Sequence, residues 1–193
     1  YTVNPKHIIS PNEDGYISNQ ITDLIRESYD KKNTVIINAG VGQGKSYAVI
    51  EMVKNYAKFD EYVIILAVPY NSLIKQYVED ITIEANGNKI SSSEVFNLMD
   101  IEHLNFPDSL EQTETIGYGY VNEADFVKPF KASNYKVHIM SINSLLGNSG
   151  DDFLFQAGKK TKYFSKLHTY CKKNNKKLVI FFDEIHDGIH NFK

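Results

Sequence analysis

Thr34-Val35-Ile36-Ile37-Asn38-Ala39-Gly40-Val41-Gly42-Gln43-Gly44-Lys45-Ser46 is the stretch on which the reading of this chain turns. Its first five residues are a short β-branched run with the composition of a buried strand. The next eight, residues 39–46, fit the phosphate-binding loop, with alanine in place of the usual first glycine. Glycines in such a loop let successive backbone N–H groups turn inward and form an anion nest. The helix behind it points its four unpaired N–H groups at the same spot. Lys45 then reaches the β- and γ-phosphates as a mobile point charge, and Ser46 places its hydroxyl on Mg²⁺. The glycines alone would also make an ordinary turn; the strand before them and the amphipathic helix after them favour the phosphate loop. A dinucleotide fingerprint fails on its spacing and would have no use for Lys45-Ser46. The expectation is that Ala39, Gly40, Val41, Gly42, Gln43, Gly44, Lys45 and Ser46 bind ATP.

Outward from this loop, strands and helices alternate. Residues 16–29 carry Ile17, Ile21, Leu24 and Ile25 at helical spacing, behind a polar lead-in over 1–15. Residues 45–58 put Ala48, Val49, Met52, Val53 and Tyr56 on one helical face. A second buried-strand run covers 62–68 and is closed by Pro69; an amphipathic helix follows over 71–84, with Asn71 or Ser72 as its cap. Residues 85–135 are polar and acidic, broken by glycine and proline, and read as a partly irregular insertion. Strand character returns over 136–141. A lysine-rich helix over 159–174 turns Phe164, Leu167 and Cys171 inward, and a third apolar strand covers 178–182. This alternation predicts an α/β fold, with a mainly parallel sheet and helices on both faces, as one domain over 1–193.

The strand at 178–182 leads directly into Asp183-Glu184-Ile185-His186. A carboxylate at the C-terminal end of a parallel strand lies in the crevice where such sheets bind ligands. Asp183 is placed to hold Mg²⁺, Glu184 to orient or deprotonate an attacking water, and His186 follows on the same loop. Taken alone, an acidic pair after a strand is also a helix cap with a favourable dipole charge. The phosphate loop upstream makes the catalytic reading the better one.

Composition narrows the class. The chain has 193 residues, 42% of them hydrophobic, which excludes wholesale disorder. No apolar run is long enough to span a bilayer, and no signal peptide is visible. The single cysteine, Cys171, excludes a disulfide framework and fits a reducing, cytoplasmic setting. The net charge of −3 does not suit a strong non-specific nucleic-acid binder. Eight lysines between 159 and 177, and seven carboxylates between 100 and 125, read as solvated surface. Arg26 is the one arginine, so bidentate arginine recognition is almost absent.

Together these residues resemble the amino-terminal RecA-like domain of superfamily 2 helicases and translocases. Residues 39–46 match the first motif, and Asp183-Glu184-Ile185-His186 the DExH form of the second. Between them, Ala67-Val68-Pro69-Tyr70-Asn71-Ser72-Leu73 is similar to the strand-Pro-Thr-x-x-Leu segment that contacts the nucleic-acid backbone, with Tyr70 in place of threonine. Val137-His138-Ile139-Met140-Ser141-Ile142-Asn143-Ser144-Leu145 is similar to the later strand-Thr-x-x-x-Leu segment, with Ser141 at the hydroxyl position. Gln20 is similar in placement to the adenine-reading glutamine, although an exposed helical glutamine would look the same.

The resemblance implies an ATP-dependent helicase or translocase that moves on nucleic acid, DNA in preference to RNA. ATP and Mg²⁺ would be its cofactors, Lys45, Asp183, Glu184 and His186 its catalytic residues, and Ser46 and Asp183 its metal ligands. Asn71, Ser72 and Ser141 would lie near the phosphates of a bound strand. It also implies a strand after the DExH loop and a second RecA-like domain with an arginine finger, so the chain is expected to be part of a longer polypeptide, possibly within a larger complex. Two alternatives stay open: another P-loop motor or ring ATPase, such as a DNA-packaging motor, and a nucleotide-sensing scaffold module.

Overall fold

Strand β1 (Tyr62–Val68) is the axis of the fold, and it is apolar along its whole length because both of its faces are covered. The computed structural model describes residues 8–29, 34–84, 90–104, 130–146 and 155–184. Two strands flank β1, each parallel to it: β3 (Val137–Ser141), in register from Ile64↔Val137 to Val68↔Ser141, and β4 (Lys177–Phe182), from Tyr62↔Lys177 to Ala67↔Phe182. The short β2 (Val95–Asn97) pairs parallel with β3, and the sheet order is β2-β3-β1-β4. Parallel neighbours need crossovers, and the helices that supply them cover the sheet on both sides.

On one face lie α2 (Lys45–Ala57) and α3 (Ile74–Thr82). Their Val53, Ala57, Ile74, Tyr77 and Ile81 pack on Ile64, Leu66, Val137 and Ile139. On the other face α5 (Phe155–Lys173) presents Tyr163, Leu167 and Cys171, spaced four residues apart, to Val63, Ile65 and Met140, while Lys162, Lys172 and Lys173 stay exposed. Each fully buried aliphatic side chain in these layers contributes roughly 1.5–3 kcal/mol. Helix α1 (Ser18–Tyr29) rests on α2 through Ile17, Ile21 and Ala48. A short helix α4 (Ile142–Leu146) continues directly from β3. The α/β architecture with a parallel sheet is therefore as the alternation indicated.

Three local expectations need correcting. Residues 34–38 form no strand: their burial alternates along the chain, Ile37 and Ala39 lean on the α1–α2 cluster, and Ile36 is 74% exposed. β-branched composition favours extended backbone, but a strand also needs a ladder partner, and the contacts here are with helices. The polar stretch 85–135 is not irregular throughout. It supplies β2 and the buried Ile90, Phe96, Leu98, Ile101, Phe130 and Ala132; residues 105–129 lie outside the described residues. Asn71 and Ser72 do not cap the helix they open: they form a 3-10 turn ahead of α3, and no side chain caps it. Strand β4 is an edge of the described sheet, with Leu178 and Ile180 40% and 43% exposed.

β2, β3 and α5 meet around a buried histidine. His138 of β3 is fully enclosed by Phe96, Tyr135 and Tyr163, and its Nδ1 shares a hydrogen bond of 2.8 Å with the Tyr163 hydroxyl. Its Nε2 has no partner among the described residues. Burial pushes the imidazole down to about 3, against a smaller opposing effect of the Tyr135 backbone. The unfolded chain takes a proton on this residue below about pH 6.5, so between the two values the unfolded state holds more protons. Stability from His138 is intact above about pH 6.5 and drains away as the pH falls toward 3, amounting to about 2 kcal/mol by pH 5. Urea-unfolding midpoints between pH 7 and pH 5 should fall less steeply for His138→Phe than for the wild type; equal slopes would refute the assignment.

Candidate functional site

The C-terminal ends of the parallel strands all point to one edge of the sheet, and there the residues singled out above collect. Asp183 sits one residue beyond β4. Its amide donates to the Ala67 carbonyl at 3.0 Å, which extends the β1–β4 ladder and fixes where the carboxylate leaves the sheet. The residue is 3% exposed. Glu184 follows in a left-handed conformation, with φ 56°. That conformation is uncommon for a residue with a side chain, and it turns the chain sharply out of the strand direction. His186 lies outside the described residues.

The loop ahead of α2 has the shape its glycines require. Gly42 and Gly44 have φ of 78° and 85°, and Gly44 is the residue that caps α2. These left-handed positions turn the backbone into a nest, and the first turn of α2 carries no acidic residue to compete with an anion. The Gln43 side chain closes the loop by accepting from the Gly40 amide at 2.8 Å. The Gln43 carbonyl accepts from the Ile17 amide at 3.1 Å, so the start of α1 is tied to the loop. The methyl group of Ala39 packs with Ile17, Ile21 and Ala48, which gives the substituted first position a place in a small core. Lys45 Nζ donates to the carbonyls of Ala39 and Gly40 at 2.9 and 2.8 Å. It is folded back over its own loop, where it would have to release those bonds to reach a phosphate.

One member of the site was missed in the sequence. The Tyr77 hydroxyl, on α3, donates to Asp183 Oδ2, and the Ser46 side chain hydrogen-bonds the same hydroxyl. Burial raises the phenol well above its ordinary value; the bond to Asp183 and the charge of Glu184 push the same way, and Ser46 opposes them. The spacing of Ile74, Tyr77 and Ile81 marks Tyr77 as inward-facing, so its ring is legible as core; its polar partner lies 106 residues away and leaves no local signal.

Gln20 is on α1, where its Nε2 donates to the Ser10 carbonyl at 3.2 Å; its Oε1 is buried with no partner among the described residues. Asn71 and Ser72 are exposed in the turn after β1. Ser141 ends β3 and is buried: its Oγ donates to Ser144 Oγ at 2.9 Å and accepts from the Ser144 amide at 3.2 Å. That hydroxyl is committed to the start of α4. Among the described residues no group of three or more His, Cys, Asp or Glu could hold a metal, and no helix is long and apolar enough to cross a membrane.

Residues 14–192 match the family model described as type III restriction enzyme, res subunit. No curated protein and no solved structure matches the chain.

The two left-handed glycines generate a prediction that separates conformation from space. A Cβ at Gly42 would meet nothing within 4 Å, and one at Gly44 would touch the Tyr16 ring at 3.4 Å. Alanine at either position should cost about 1–2 kcal/mol of stability through φ alone. Gly40→Ala, with no left-handed φ to hold, should leave stability nearly unchanged. Urea-unfolding midpoints of the three variants provide the comparison.

Proposed function

The chain belongs to the type III restriction enzyme res subunit family, a family of helicase-like ATPases, and on that premise we propose that it hydrolyses ATP to drive movement along nucleic acid, with DNA as the track. The observation that supports this reading most strongly is the meeting of Ser46 and Asp183 on the Tyr77 hydroxyl. It brings the end of the phosphate loop and the end of β4 to one point, as a shared metal ligand set requires. The donor set suits Mg²⁺, which takes a hydroxyl, a carboxylate, phosphate oxygens and water in place of an all-protein cage.

In this proposal the nest at residues 39–44 and the N-terminus of α2 hold the phosphates, and Lys45 moves from the Ala39 and Gly40 carbonyls onto the β- and γ-phosphates. Ser46 and Asp183 hold the metal. When bound, Mg²⁺ neutralises charge that develops on the phosphate oxygens. Glu184, turned out of the strand by its left-handed backbone, orients the attacking water and accepts its proton. The unpartnered Gln20 Oε1 suits an exocyclic amine donor such as that of adenine. His186 links the nucleotide to the nucleic-acid side. Asn71 and Ser72 touch the backbone of a bound strand, which positions it without reading sequence. Ser141, with its hydroxyl used internally, acts by setting the start of α4 beside them.

The one arginine, Arg26, belongs to α1. We therefore assign the transition-state arginine to a second RecA-like domain, and place the activity inside the cell. An arginine of this kind is worth about 10³–10⁵ in rate, so these residues without that domain should bind ATP and turn it over slowly.

The test is steady-state ATPase activity of the full-length protein with and without single- and double-stranded DNA and RNA. Stimulation by DNA, abolished in Glu184→Gln, is the expected outcome. Nucleotide binding with no stimulation by any polymer would remove the nucleic-acid half of the proposal. A second expectation concerns Lys45→Ala: ATP affinity should fall at least roughly tenfold, as for loss of a charged hydrogen bond, with the thermal midpoint nearly unchanged. Calorimetric titration with ATP reads the first, and a thermal melt the second.

A further inference from the structure

Tyr77 has no part in the scheme above, yet its hydroxyl stands between the two side chains assigned to the metal. We propose that this hydroxyl is a built-in stand-in for Mg²⁺: it joins Ser46 to Asp183 in the metal-free protein and must leave Asp183 before a metal can be held there. The inference rests on the reading of Ser46 and Asp183 as metal ligands, and it adds a residue that sets how much metal the site needs.

The geometry argues for this role over a purely structural one. Tyr77 is 6% exposed and Asp183 3% exposed, so neither group has bulk water to fall back on. A buried carboxylate without a partner is costly, and among the described residues the Tyr77 hydroxyl is the side chain that satisfies it. The oxygen lone pair of Asp183 that takes the phenolic proton is not at the same time free for a cation. Ser46 is drawn to the same hydroxyl, so both ligands are held close together but occupied. The ring itself is gripped by Ile74 and Ile81 of its own helix and by the aliphatic face of the sheet, a space that phenylalanine would fill equally well. The hydroxyl is thus the one part of the side chain that packing does not require.

An interaction present in the metal-free state and lost in the loaded state lowers metal affinity by its own strength, because a ligand shifts an equilibrium only by its differential affinity for the two states. Tyr77 would therefore hold the nucleotide-free site in order and raise the Mg²⁺ concentration needed to fill it. Loading would be coupled to a small displacement at the inner face of α3, the helix that follows the exposed Asn71-Ser72 turn.

The experiment is a Mg²⁺ titration of fluorescent ATP-analogue binding, read by anisotropy, on the full-length wild type and on Tyr77→Phe. Nucleotide affinity in EDTA, which depends on the phosphate loop, should be equal in the two proteins and reports that the variant is folded. The half-saturating Mg²⁺ concentration should fall roughly tenfold in Tyr77→Phe, the scale of one hydrogen bond to a charged group. An unchanged midpoint would make Tyr77 a core residue and overturn the inference. A raised midpoint would mean that the hydroxyl orients Asp183 in the loaded site, and would overturn it too. If nucleotide binding by the wild type does not depend on Mg²⁺, the metal assignment of Ser46 and Asp183 falls as well, so failure of the premise and failure of the inference give different results.

Discussion

The ladder between β1 and β4 is the constraint on which the rest of the site depends. β1 is buried on both faces and pairs in parallel on both sides, so the ends of β3 and β4 are set by its register. The Asp183 amide on the Ala67 carbonyl carries the β4 ladder one residue past the strand. A slip of one residue would turn Asp183 to the opposite face of the sheet, away from α2 and α3, and would bring Phe182 to the place where a carboxylate is needed. The catalytic edge thus depends on the continuous apolar packing of β1 between α2 and α3 on one side and α5 on the other.

The site itself combines two kinds of preorganisation. The phosphate loop is a backbone device: two left-handed glycines, a helix N-terminus and a glutamine side chain that closes the turn. It is held locally, with α1 and the small cluster around Ile17, Ile21 and Ala48 as its support. The carboxylate end is a tertiary device, in which Asp183 is positioned by the sheet and satisfied by a tyrosine from α3. Lys45 and Asp183 are both engaged with internal partners, the loop carbonyls and Tyr77. Nucleotide and metal would therefore exchange existing hydrogen bonds for new ones, a smaller rearrangement than ordering a disordered site.

Polar sequence concealed part of the core. The acidic stretch near the middle of the chain contains β2 and an aromatic group, Phe96 and Phe130 with Tyr135 and Tyr163, that encloses His138. A three-residue strand is too short to show periodicity, and isolated aromatic residues among carboxylates read as surface. Their burial comes from α5 and β3, which lie far along the chain. The opposite error occurred at residues 34–38, where five residues of strand composition make no ladder. Composition records a preference for extended backbone, and pairing is decided by which strand lies alongside.

What the sequence determined by itself was local chemistry. A glycine spacing that only a left-handed turn can use, a lysine and serine at the start of a helix, and an acidic pair directly after an apolar run are all readable within a dozen residues, because backbone conformation and strand direction position their side chains. The alternation of strands and helices gave the parallel α/β class for the same reason, since periodicity is a short-range property. The tertiary structure decided which strand lies beside which, that Ser141 spends its hydroxyl on α4, that His138 is sealed inside an aromatic wall, and that Tyr77 reaches Asp183 across 106 residues. Each of these is a contact between segments distant in the chain, whose energy comes from burial in a shared core, and no single segment encodes its partner.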